Sequence, residues 1–186
     1  IGCCGLDCGL CPRYYTAGTS RCPGCCGPDF FNKHPSCAFI TCCVKKKGLE
    51  VCAQCAEFPC PRFEGWTGDS DNIPDSFLTH KKAAPNLNFI KEHGIEEFIG
   101  QQKKRIELLQ TMLEEFDEGR SKSFYCIAAT LLPVTDLEAS LNEAKQEIDK
   151  LCIVTDDIKT RANILRKFLN GFAGEREIEL RLRSKD

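Results

Sequence analysis

From Asn86 to Phe172 apolar residues recur every three or four positions, the spacing of helices that each bury one face. Ile95, Phe98, Ile99, Ile106, Leu109, Met112, Leu113 and Phe116 form one stripe that reaches about Glu118, and Gly94 just before it can end a short first helix with Asn86 as its N-cap. Leu137, Leu141, Ala144, Ile148 and Leu151 share a second helical face, opened by Thr135 and Glu138 as a capping box. A third helix, capped by Thr155, carries Ile158, Ala162, Leu165, Leu169 and Phe172 and closes at Gly171 or Gly174. These stripes are core faces rather than a cofactor box.

Two stretches depart from the helical period. EREIELRLR at 175–183 alternates charge with Ile178, Leu180 and Leu182, which predicts a half-buried strand. A strand needs a partner, and SFYCIAATLL at 123–132 is the best one: aromatic and β-branched at its start and stopped by Pro133. Helix is the alternative there, because Ala128 and Ala129 weaken the strand reading. The predicted fold class is therefore α+β and helix-dominated, an irregular N-terminal cysteine-rich module followed by a helical region with a small two-stranded sheet. Its divisions are residues 1–66 for the module, 67–85 for a linker or surface loop around GDSDNIPDSF, and 86–186 for the helical region.

The cysteines change this picture. Thirteen of fifteen lie in residues 1–60, while Cys126 and Cys152 are isolated among apolar residues and read as buried core thiols. The spacings are Cys4-x3-Cys8-x2-Cys11-Pro, Cys22-x2-Cys25, Cys37-x4-Cys42 and Cys52-x2-Cys55-x4-Cys60-Pro. Two residues between thiolates let a tight turn aim both sulfurs at one ion, at metal–sulfur distances of roughly 2.3 Å. A single such pair is as easily a redox motif, but three within the module point to metal ligation. Residues 1–60 also hold only about a dozen large apolar side chains, too few to order so long a segment without staples.

In the doublets Cys3–Cys4, Cys25–Cys26 and Cys42–Cys43, neighbours on extended backbone point to opposite sides. Taking Cys4, Cys25 and Cys42 preserves the spacings and leaves Cys3, Cys26 and Cys43 as spares. The candidate ligands are then Cys4, Cys8, Cys11, Cys22, Cys25, Cys37, Cys42, Cys52, Cys55 and Cys60, enough for two or three zinc ions: a two-zinc, six-thiolate cluster plus a four-thiolate site, or two four-thiolate sites with two thiols over. Three sites would follow if His34 and His80 also ligated; His34, at H-x2-C from Cys37, has ligand-like spacing but stays outside the set.

Iron–sulfur ligation is the alternative, since Cys4-x3-Cys8-x2-Cys11 has the spacing of radical S-adenosylmethionine enzymes and the Cys-Pro pairs resemble the ends of ferredoxin motifs. No βα repeat follows to build the barrel of a radical enzyme, and Leu10 stands where those enzymes usually have an aromatic residue. A disulfide framework is disfavoured by the odd cysteine count and by turn-forming C-x2-C pairs.

CGLDC-x2-CP, CPGC, C-x4-C, KKKGLEVCAQC and EFPC together resemble an uncharacterised cysteine-rich family of bacteria and archaea, frequent in anaerobes, labelled a domain of unknown function and regarded as zinc-binding. The likeness is most specific over residues 4–63, and NLNFIKEHGIEEFIGQQKKR and SKSFYCIAATLLP resemble the continuation in longer members. It implies the same ten cysteines as ligands, and it implies no activity.

Charge excludes little else. The formal net charge of -2 is spread evenly, with seven basic against eight acidic residues up to position 80 and eighteen against nineteen beyond. Only KKK at 45–47 and KKR at 103–105 are basic clusters, read as a solvated loop and a solvated helix face, so nucleic acid is not an expected partner. No apolar run is long enough to span a membrane and no signal peptide is visible, so the expected compartment is the reducing cytoplasm. No nucleotide, zinc-protease or serine-hydrolase motif occurs. The sequence thus predicts a cytoplasmic zinc protein, non-enzymatic, acting as a structural or protein-interaction module; the alternative is an iron–sulfur redox or electron-transfer accessory of an anaerobe.

Overall fold

The computed structural model describes residues 1–33, 36–64 and 74–183. His34, Trp66, residues 67–73 of the expected linker and the last three residues lie outside them. The chain divides into two compact units, one holding residues 1–102 and the chain end from Leu182, the other Lys103–Arg181. The helices are α1 (Phe30–Lys33), α2 (Ala83–His93), α3 (Ile95–Phe116), α4 (Lys122–Leu131), α5 (Val134–Lys150) and α6 (Ile158–Glu175), with a π-helical turn at Ile40–Lys46 and short 3₁₀ turns in the cysteine-rich part.

No strand occurs among the described residues, so the expected α+β class with a two-stranded sheet is corrected to an all-helical one. The segment read as the first strand is α4. Tyr125, Cys126, Ala128 and Ala129 are almost wholly enclosed, and the unbroken buried run Tyr125–Leu131 hides the alternation of polar and apolar positions that marks helices in a sequence. Thr130 fits because its hydroxyl donates to the Cys126 carbonyl at 2.8 Å, and Leu132, preceding Pro133, turns extended and ends the helix. Without that partner, 178–183 runs as non-helical chain with no ladder. Ile178, Leu180 and Leu182 remain half-buried between exposed charges, so the alternation is present without the sheet.

The second unit is built on α4, α5, α6 and the later part of α3. Leu109, Met112 and Phe116 of α3, Leu137, Leu141, Ala144 and Ile148 of α5, and Ala162, Leu165 and Leu169 of α6 are buried as the stripes predicted. Leu151 lies past the end of α5 and is exposed, and so is Cys152, which sits in a turn at φ +51° rather than in the core. Cys126 is buried as expected.

The caps differ from prediction. Asp157, not Thr155, accepts from the Thr160 N–H at the start of α6, and α6 runs through Gly171 and Gly174. α5 begins directly after Pro133 with no side-chain cap. Thr135 donates to Asp136, and Glu138 pairs with Lys104 at 3.1 Å instead of closing a capping box. Asp136 in the first turn of α5 receives two hydrogen bonds from Arg176 just past α6.

In the first unit, α2 starts three residues before Asn86, with Pro85 in its first turn where a missing N–H costs nothing. It ends at Gly94, φ +90°, as predicted. Leu87 and Ile90 of α2 and Phe98 of α3 pack with Val51, Ala53, Phe58 and Phe63, so α2 shares its core with the cysteine-rich segment. A second, smaller cluster joins Cys3, Phe30, Ile40 and Cys43. Asp75, its carboxylate fully enclosed, accepts from the Arg183 guanidinium at 3.0 Å and from the His80 and Arg183 backbone N–H groups, tying the chain end to this unit.

Candidate metal centre

The opening loop is held by its own backbone and by α2. Gly2 donates to Leu6 and Gly5 to Gly2, which folds IGCCGL into a tight coil. Gly5 takes φ +89°, and a β-carbon there would stand 2.1 Å from the Ala83 carbonyl oxygen, so only glycine lets the loop lie on α2. The buried Asn86 amide donates to the Gly5 carbonyl and to the Asp7 carboxylate, both at 2.9 Å. Asn86, expected as a cap, is thus a latch for the cysteine loop.

This loop brings together thiols that are distant in sequence. A β-carbon at Gly2 would lie 3.3 Å from both the Cys8 and the Cys25 sulfur, so the two thiols share one side of the glycine. The hydrogen bond from Cys25 pulls the Cys8 thiol down to about 6, and the same contact with burial pushes Cys25 up. Burial raises Cys4 to about 12, with the neighbouring Cys8, Cys37 and Cys52 thiolates adding to the shift. Burial also raises Cys11, with Cys8 and Cys22 contributing. Cys4, Cys8, Cys11, Cys22, Cys25 and Cys37 therefore form one continuous neighbourhood.

A second group surrounds Cys52. Its backbone N–H donates to the Cys3 carbonyl at 2.8 Å, stitching the N-terminus to the segment after the π-helical turn. Hydrogen bonds from Cys3 and Cys43 draw its thiol down to about 7; the contact with Cys52 raises Cys3, and burial raises Cys43 to about 12. Beside this trio lies a cavity of about 30 Å³ lined by Cys42, Cys43, Cys52, Cys55 and Cys60, with Phe39, Phe58 and Phe63 as its apolar wall. The Lys47 ammonium donates to the Cys55 sulfur at 3.1 Å and to Glu57 at 2.7 Å.

All ten predicted ligands thus lie in the first unit, in two adjoining groups that meet where Cys52 approaches Cys4 and where Cys25 and Cys37 pack on the Cys3–Cys43 cluster. Among the described residues no three histidine, cysteine or acidic side chains converge as a ready ligand set, so the thiols line the sites without closing on a common point. The donor chemistry nevertheless suits a thiophilic ion: ten half-buried to buried sulfurs, with the Lys47 ammonium against one of them. Cys3 and Cys43, expected as spares, lie against Cys52. The rule that doublet neighbours diverge holds on extended backbone, but Cys42 and Cys43 sit in a π-helical turn where both can face inward. At Cys25–Cys26 the rule holds: Cys25 faces Cys8, and Cys26, at φ +64°, is exposed.

No family model matches the chain, and no curated protein or solved structure matches it either. The functional reading rests on the site's own residues.

Proposed function

We propose that residues 1–64 with α2 form a zinc–thiolate module whose role is structural and protein-interacting rather than catalytic. The observation that carries this is the approach of thiols from four separate sequence segments, Cys8 with Cys25 and Cys3 with Cys43 and Cys52, in a segment whose apolar clusters are interleaved with cysteines. All-sulfur surroundings favour closed structural sites, whereas catalytic zinc keeps an open position and a nearby base. A reducing compartment, the cytoplasm, suits so many free thiols, and no helix among the described residues is long and apolar enough to cross a membrane. Exposed Phe31 and Phe77, each with a cation over its ring, supply protein-facing surface of the kind interfaces use.

Anaerobic purification of the full chain with elemental analysis tests it. Two or three zinc ions per chain and a colourless protein are expected. A brown protein with iron and labile sulfide would replace zinc by the iron–sulfur alternative, and a chain without thiolate-bound metal would overturn the proposal.

A further inference from the structure

The ten thiols divide unevenly around one feature, the cavity beside Cys52. At about 30 Å³ it has room for a small ion. Five thiols line it, one more than a tetrahedral ion needs. Cys43 is the one set apart, since its sulfur donates to the Leu49 carbonyl at 3.5 Å and it lies outside the Cys37-x4-Cys42 and Cys52-x2-Cys55-x4-Cys60 spacings that the other four keep. Cys52 and Cys55 are presented by one turn, fixed by the Gln54 side-chain oxygen accepting from Glu50 N–H and by Cys55 N–H donating to Cys52.

We propose that Cys42, Cys52, Cys55 and Cys60 hold a single thiophilic divalent ion in this cavity, closed by protein on all four sides, with Lys47 as its positioning cation. This rests on the metal–thiolate reading above and assigns one ion within it. Four thiolates around a divalent ion carry a net charge of two negative units, and burial against Phe39, Phe58 and Phe63 makes that charge expensive unless cations neutralise it. The Lys47 ammonium already donates to Cys55, and Glu57 fixes its orientation from the other side. Arg62 at the rim adds a second positive charge. The remaining six, Cys4, Cys8, Cys11, Cys22, Cys25 and Cys37, then belong to a separate centre.

The test is metal counting on the full chain, purified anaerobically and reconstituted with zinc or with cobalt(II), whose visible bands report tetrahedral thiolate ligation. Cys42→Ser, Cys55→Ser and Cys60→Ser are each expected to lose about one ion. The Cys42→Ser/Cys60→Ser double variant should lose no more than either single one, because both strip the same ion. Cys8→Ser combined with Cys60→Ser should lose more than Cys60→Ser alone. Lys47→Met should keep the ion count while weakening affinity about 10-fold against a chromophoric chelator, and Lys47→Arg should recover it. Additive losses for Cys42 and Cys60 would place them on different ions and overturn the assignment. So would wild-type metal content in those variants, in which case the module reading would stand and only this site would fall. A wild-type chain that takes up neither zinc nor cobalt would remove both.

Discussion

At the scale of single residues, the cysteine loop depends on two positions that are not cysteines. Gly5 has left-handed φ and nearly touches the Ala83 carbonyl, so Gly5→Ala combines backbone strain of more than about 1 kcal/mol with a clash that only movement of the loop or of α2 relieves. Asn86→Ala removes two hydrogen bonds and leaves the buried Asp7 carboxylate less well satisfied, a loss of about 1–3 kcal/mol. Urea unfolding of the zinc-loaded chain, read by amide exchange over residues 1–64, should show both destabilisations, with Gly5→Ala the larger. The isolated thiols separate by exposure: alkylation of the native chain is expected at Cys152 and not at Cys126, and Cys126→Ser should leave metal content unchanged while costing about 1 kcal/mol of packing. The ligand candidates were legible because C-x2-C spacing is a local, backbone-determined signal. Asn86 and Gly5 were not, because their partners lie some eighty residues away.

At the scale of elements, the long amphipathic helices were read as helices and the short α4 was read as a strand. α3, α5 and α6 repeat their polar face over four or more turns, so their period survives in the sequence; α4 has only Lys122 and Ser123 at its start before an unbroken buried run, and its aromatic and β-branched residues imitate a strand. What secures α4 is equally hidden. Arg105, expected on a solvated face with Lys103 and Lys104, donates to the Ala129 and Leu132 carbonyls at 2.7 and 2.6 Å and so satisfies the last turn. Arg105→Met should destabilise the second unit by about 1–3 kcal/mol in urea titrations followed by circular dichroism. The start of α5 has a pH signature. Hydrogen bonds and charge from Arg176 hold the Asp136 carboxyl below the usual carboxylate range, so its stabilisation is fully present above about pH 4 and is lost as pH falls through the lower folded value. Asp136→Asn should therefore be less stable than wild type at neutral pH, with the difference shrinking on acidification below about pH 4; a constant difference across that range would remove the carboxylate from the account.

At the scale of the whole molecule, the sequence showed a cysteine-rich beginning and a helical remainder, but placed α2 with the wrong one. Its packing on Val51, Phe58 and Phe63 puts it in the unit that holds the thiols. Lys103–Arg181 buries the apolar faces of α3, α4, α5 and α6 without cysteine-rich loops between them, whereas the apolar clusters described for the first unit are interleaved with cysteines. The central claim is that bound metal orders the first unit and that the second stands without it. Hydrogen exchange resolved along the full, zinc-loaded chain, before and after chelation under reducing conditions, tests it most directly. The account predicts that protection collapses over residues 1–64 and weakens in α2, while α4, α5 and α6 keep theirs. Unchanged protection over residues 1–64 after complete metal removal, or loss of protection everywhere in one cooperative step, would contradict it.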